Sequence, residues 1–162
     1  NFLRLGLNSM QQYRIKFILG KITAYVDALR LGKTTVDDLT SYTQTAVEIE
    51  HIMPQTCADK ELYGMNDEDF SVYINRLGNL TLLENSINKS IHNDVYANKS
   101  KAYKQSKFYL TSSLSELVNQ GHDTAINRTN SLLFAWSDWN KRSIEERQEM
   151  LYRLSEMIWE MS

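Results

Sequence analysis

Glu48-Ile-Glu-His-Ile-Met-Pro-Gln55 is the stretch whose reading decides the fold. Val47, Ile49 and Ile52 are strand-forming residues that alternate with polar ones from Ala46 to Ile52, and Pro54 ends the run because it has no ladder N–H to give. His51 is therefore predicted at the end of a strand, entering a loop. Residues 55–67 are turn-forming and polar, a long loop, and a helix is predicted from Asp67 to Leu77 with Gly78 closing it. Asn79 to Glu84 is the second strand, with Leu80, Leu82 and Leu83 partly buried, and only Asn85 and Ser86 separate it from a polar helix starting near Ile87. The local order is strand, excursion, strand, tight turn, helix.

Outside this centre the chain reads as helix. Tyr13, Phe17, Ile18, Ile22, Tyr25, Val26 and Leu29 recur at three- and four-residue steps from Ser9 to Arg30, an amphipathic helix that Gly32 would stop. Thr35-Val-Asp-Asp-Leu39 resembles a short capped helix. After Asp94 helices are predicted near Val95–Lys107, Ser113–Asn119, Ser131–Trp139 and Ser143–Met161, with Gly121 interrupting. Trp136, Trp139 and Trp159 are read as core residues of this bundle, since large aromatics are mostly buried. The expectation is a mostly α fold with a small ββα core, an α+β arrangement in which a two-stranded antiparallel hairpin packs on helices. It forms one domain over 1–162: an N-terminal helical part over 1–45, the ββα core and a basic helix over 46–106, and C-terminal helices over 107–162. The first residue is Asn rather than Met, so the chain is read as a fragment of a longer one.

Composition narrows the function. The 162 residues carry a formal net charge of −2 and one cysteine, so an internal disulfide is excluded and a reducing, cytoplasmic setting fits. No apolar run reaches the length of a membrane span. The near-neutral total hides an uneven distribution. Arg4, Arg14, Lys16, Lys21, Arg30 and Lys33 face a single acid, Asp27, in the first 33 residues. Lys89, Lys99, Lys101, Lys104 and Lys107 face Asp94 alone, while Asp59, Glu61, Asp67, Glu68 and Asp69 gather in 59–69. A basic face of this kind suits a phosphate backbone, although a basic run is also what any solvated helix face looks like.

Cutting a phosphodiester needs a base for the attacking water, a cation for the developing charge, and a group that holds the base in its correct tautomer. Histidine suits the first role. A carboxylate and an amide oxygen suit a magnesium ion. Glu50, His51, Asn79 and Asn88 supply these types. Asn79 is placed to cross from the second strand to His51. Asn88 lies nine positions later, in the first turn of the helix, facing back toward the strands. Taken singly each has a plainer reading: a structural histidine before proline, a strand-start hydrogen bonder, a helix cap. Together, at these spacings, they favour catalysis. His92, one turn beyond Asn88, reads as a further ligand or as a surface histidine, and Cys57 as a bystander.

Glu-His-Ile-Met-Pro-Gln at 50–55, Gly-Asn-Leu-Thr-Leu-Leu at 78–83 and Asn88-Lys89 together resemble the ββα-metal site of HNH (His-Me finger) endonucleases. The resemblance is strongest to the C-terminal nuclease domain of GmrSD-type, modification-dependent (type IV) restriction enzymes and related phage-defence proteins. Asn93, Tyr96, Lys99, Tyr103 and Ser106 continue the pattern, which is tight over 48–106 and loose over the helical remainder. It implies His51 as general base, Glu50 and Asn88 as metal ligands, and Asn79 as the residue that orients His51. Arg76, Lys89 and Lys99 would grip the phosphate backbone, with Lys101 and Lys104 beside them on the basic helix, and His92 and Asn93 are additional candidates. The cofactor implied is Mg2+ or Mn2+, the substrate DNA, and the products 5′-phosphate and 3′-hydroxyl ends from a nick. The partner implied is an N-terminal nucleotide-hydrolysing recognition domain, in the same chain or in a partner subunit. Two departures stand out. Many HNH enzymes have Asp where Glu50 stands, so direct ligation could become ligation through water, and Asn at 88 rather than His favours magnesium or manganese over zinc. The alternatives are a non-catalytic nucleic-acid- or partner-binding helical module with a decayed HNH core, and a ribonuclease using the same site.

Overall fold

The structure is a computed structural model that describes residues 1–36 and 38–160. Helix α1 (Gln12–Arg30) buries Ile15, Leu19, Ile22 and Val26, a four-three-four spacing that keeps one face against the core. It stops where Gly32 takes φ +71°, the left-handed conformation that ends helices at low cost for glycine. Tyr13 and Phe17 are corrections to the amphipathic reading. They stand 64% and 46% exposed, because the apolar stripe of α1 is wider than the face that the core covers. The short helix read over 35–39 includes Asp37, which lies outside the described residues; the described helix α2 is Thr40–Thr43, its first amide held by Asp38 Oδ1 at 2.8 Å.

Strands β1 (Val47–His51) and β2 (Leu80–Glu84) pair antiparallel, with Val47 opposite Glu84 and His51 opposite Leu80. The ladder runs one bond further, from Ile52 N to Asn79 O at 2.9 Å, before Pro54 ends it. Between the strands lies α3 (Asp67–Tyr73), begun by Asn66 Oδ1 accepting from Asp69 N. It is shorter than predicted. Ile74 to Arg76 leave the helix because the N-terminal residues pair with them: Leu7 N donates to Asn75 O at 2.8 Å, and Gly6 bridges Arg76. Gly6 is required there, since a Cβ would stand 2.0 Å from Asn75 O.

Helix α4 (Asn85–Ile91) starts directly after β2, so the expected two-residue turn is its first turn. Helix α5 (Tyr96–Tyr103) follows, then α6 (Tyr109–Ser112), α7 (Ala125–Asn130) and α8 (Lys141–Glu160). Helices read over Ser113–Asn119 and Ser131–Trp139 do not form. Those segments bond to each other instead, Trp136 N to Leu114 O at 2.8 Å, and Tyr96 Oη closes on Trp136 O at 2.6 Å. Tertiary partners outweigh helix propensity here.

One apolar cluster joins these elements apart from α7, and β2 is buried from Leu80 to Leu83, with Leu80, Leu82 and Leu83 inside the cluster. Helix α8 crosses the start of β2 so closely that a Cβ on Gly78 would stand 2.2 Å from Ile144 O. Trp136 and Trp139 are buried as expected, whereas Trp159 is 44% exposed. The last turn of α8 runs past the core, and the Trp159 ring lies beside the Lys21 ammonium on α1. The fold is mostly α with a two-stranded antiparallel hairpin packed on helices. Among the described residues no helix is long and apolar enough to cross a membrane.

Candidate active site

A cleft of about 490 Å³ opens beside β1, lined by Glu48, Glu50, His51, Asn88, His92 and Asn93 among others, with Gln12 and Lys16 of α1 on its rim. All five residues of β1 line it. Side chains of a strand alternate between faces, so a face-on cleft would see only every second residue. The cleft therefore runs along the free edge of β1, opposite its pairing to β2. This is how the adjacent Glu50 and His51 reach one space.

His51 is partly buried at the end of β1, and its Nε2 lies 3.0 Å from Asn75 Oδ1. The direction of that bond follows from the groups behind it. Asn75 Nδ2 donates to Asn8 Oδ1 at 2.8 Å, and Asn8 Nδ2 points at Ser71 O, so the carboxamide oxygen of Asn75 is the atom left for the imidazole. Nε2 must carry the proton, and Nδ1 keeps its lone pair. Burial pushes the imidazole pKa below its ordinary value, which keeps the ring neutral, with Asn75 and the nearby Glu50 charge opposing part of that shift.

The sequence assigned the orienting role to Asn79. The structure places that residue elsewhere. Asn79 is wholly buried under β2, where its Oδ1 accepts from Met53 N at 2.8 Å and Trp139 Nε1 at 3.0 Å, and its Nδ2 donates to Met53 O and Ile74 O. It clamps the backbone two residues after His51 rather than the ring, because its four bonds consume the whole carboxamide. The ring instead donates to Asn75, which is held by Asn8 in the N-terminal turn, 67 positions away. No local pattern could have marked it.

Glu50 also differs from expectation. Its side chain is 6% exposed, and its Oε1 accepts from Lys99 Nζ at 2.5 Å and from Tyr103 Oη at 2.9 Å. Lys99 donates to His51 O as well, at 2.7 Å. Lys99 and Tyr103 stand four residues apart on α5, so one helix face presents both donors to one carboxylate. Lys99 is thus not a surface grip for phosphate: it is fully buried, and its charge is committed to Glu50. Burial lowers its pKa, which the Glu50 carboxylate counteracts, while Tyr103 is pushed well above its ordinary value and stays a donor. Their positions were part of the sequence pattern; their task was not.

Asn88 sits on α4, with Nδ2 donating to Glu48 Oε2 at 2.7 Å. Its Oδ1 is buried without a hydrogen-bond partner. Glu48 was missed, although a strand period of two puts it on the same side of β1 as Glu50. Among the described residues no group of three or more His, Cys, Asp or Glu side chains could hold a metal. A magnesium ion needs less, since it keeps several waters and takes few protein oxygens. The orphaned Asn88 Oδ1, on a wall shared with Glu48 and Glu50, fits such an ion.

The remaining candidates are scattered. His92 and Asn93 are exposed on the cleft rim. Lys89 and Lys101 are exposed, Lys104 is exposed and paired with Glu116 at 3.2 Å, and Arg76 stacks 4.0 Å over the Tyr73 ring. The family described as GmrSD restriction endonucleases, C-terminal domain, matches the chain over residues 1–154. Neither the curated proteins nor the solved structures return a match.

Proposed function

This chain belongs to the family of the C-terminal domain of GmrSD restriction endonucleases, a nuclease module of restriction enzymes, and we propose that it nicks DNA at the β1 cleft with His51 as general base. The observation that carries the reading is the setting of His51: an imidazole in the cleft with Nε2 3.0 Å from Asn75 Oδ1 and a pKa lowered by burial, an arrangement in which a neutral ring with its proton on Nε2 offers Nδ1 to water. A base of this kind contributes roughly 10² to 10⁴ in rate.

Asn75 fixes the ring orientation. Lys99 holds the backbone there, by tying the carbonyl of His51 to the carboxylate of Glu50. Asn88 Oδ1, with Glu50 and its strand neighbour Glu48, would hold Mg2+ or Mn2+. When bound, that ion supplies positive charge for the phosphate as negative charge develops and the 3′ oxygen departs. Departure of the 3′ oxygen leaves 5′-phosphate and 3′-hydroxyl ends, the products that the family resemblance implies. One site cuts one strand.

Supercoiled plasmid with magnesium tests the reading. Conversion to open circles is expected, and both a chelator and His51→Ala should stop it. Equal conversion by the alanine variant would sink it. Recognition of the modified base and nucleotide hydrolysis are assigned to a partner domain or subunit of the same defence system.

A further inference from the structure

Tyr13 and Phe17, on the exposed face of α1, take no part in the site above. Tyr13 and Phe17 stand open on it one helical turn apart, about 6 Å along the axis. Each has a cation beside its ring: the Arg14 guanidinium 5.7 Å from the centre of Tyr13, and Lys21 Nζ 5.6 Å from the centres of both Phe17 and the exposed Trp159. Beneath the two rings lies a groove of about 520 Å³, with Met10 and Thr43 in its walls. Lys16 lines this groove and the His51 cleft alike, so the two spaces share a rim.

Charge completes the picture. No Asp or Glu occurs before Asp27, and the Asp27 carboxylate is itself occupied by Tyr42 Oη and Tyr109 N. The cations of this face are Arg14, Lys16 and Lys21, with the Glu48 carboxylate acting on Lys16 from the cleft side and Glu160 following Trp159 at the far end. Protein-binding surfaces are depleted of lysine around their aromatic anchors, whereas rings set among cations are what single-stranded nucleic acid requires: faces for bases, charges for phosphates. A duplex keeps its base faces stacked and has none to offer.

We infer that Tyr13 and Phe17 form a stacking platform for an unpaired stretch of the substrate strand flanking the scissile phosphate, with Arg14 and Lys21 gripping its backbone. That the strand is substrate rests on the nuclease reading of the cleft; the binding itself does not.

Fluorescence anisotropy of a labelled single strand of about 20 nucleotides, in magnesium-free buffer, tests the platform on the intact protein. Tyr13→Ala and Phe17→Ala should each weaken binding about tenfold. Phe17→Trp should bind as tightly as the parent and Phe17→Leu should not, although leucine keeps most of the apolar area; that pair also serves if alanine loosens the helix. A duplex of the same sequence should change less than about twofold, and Arg14→Ala should reduce the slope of log affinity against log salt by about 0.7. His51→Ala should bind like the parent, so a failed nuclease and a failed platform give different results. Ring variants that bind single strands normally would overturn the inference. Phe17→Leu behaving like the parent would do the same, and would mark the face as an apolar contact for a protein.

Discussion

Asn79 immediately precedes β2 and Asn88 lies nine residues later in the middle of α4, and the contrast between them separates scaffold from site. Asn79 is wholly buried and spends its entire carboxamide on Met53, Ile74 and Trp139. Asn88 spends only its nitrogen, on Glu48, and leaves a buried oxygen open. A buried polar group without a partner costs about 1 to 3 kcal/mol, so it persists where something else holds or fills it. The satisfied amide builds the loop that carries His51. The unsatisfied one has an acceptor to spare for the ion proposed above.

The largest expected effect follows from the first half of that contrast. Asn79→Ala leaves two backbone groups of Met53, the Ile74 carbonyl and the Trp139 indole without partners, and should cost on the order of 3 to 5 kcal/mol of stability. Urea unfolding measures it. A loss below about 1 kcal/mol would mean that the clamp is dispensable and that the two asparagines differ less than their bonds suggest.

Glu50 and Lys99 extend the comparison to charge. Lys99→Met strands a buried carboxylate and should cost about 3 kcal/mol, whereas adding Glu50→Gln to the same chain should recover most of that loss. A double variant no more stable than Lys99→Met would show that the ammonium serves the His51 carbonyl rather than the carboxylate. Asn88→Ala, by contrast, should leave unfolding within about 1 kcal/mol of the parent and weaken magnesium dependence at least tenfold. Isothermal titration of magnesium into the two proteins reads this directly. Equal titration would return Asn88 to the scaffold.

Much of the architecture was legible because it is local. The alternation of Val47 and Ile49 with polar neighbours, the breaks at Pro54 and Gly32, and the helical run from Ser143 each lie within one segment. Glu50, His51 and Asn88 were legible as types at fixed spacings. Asn75 was not, since its tie to His51 depends on Asn8, from the far end of the chain. The role of Lys99 was misjudged for a related reason. A lysine in a basic run looks solvated until the carboxylate that faces it, 49 residues earlier, is placed against it. Trp159 failed in the opposite direction: its helix is right, but the helix outruns the core.

The finest test concerns the relay from Asn8 through Asn75 to His51. Burial holds the His51 imidazole below its ordinary pKa, and the Asn75 hydrogen bond opposes that shift. A base must be neutral, so cleavage should be lost only as pH falls through the lowered value, with its acid limb below about 6.5. Asn75→Leu keeps the volume and removes the acceptor, which should lower the plateau rate by about tenfold through lost orientation. The acid limb should move to lower pH at the same time, because the opposing hydrogen bond is gone. A variant with a lower plateau and an unmoved limb would place the relay in packing alone. A limb that moved upward would mean that water had replaced the amide, and that the ring owes its neutrality to Asn75 excluding solvent.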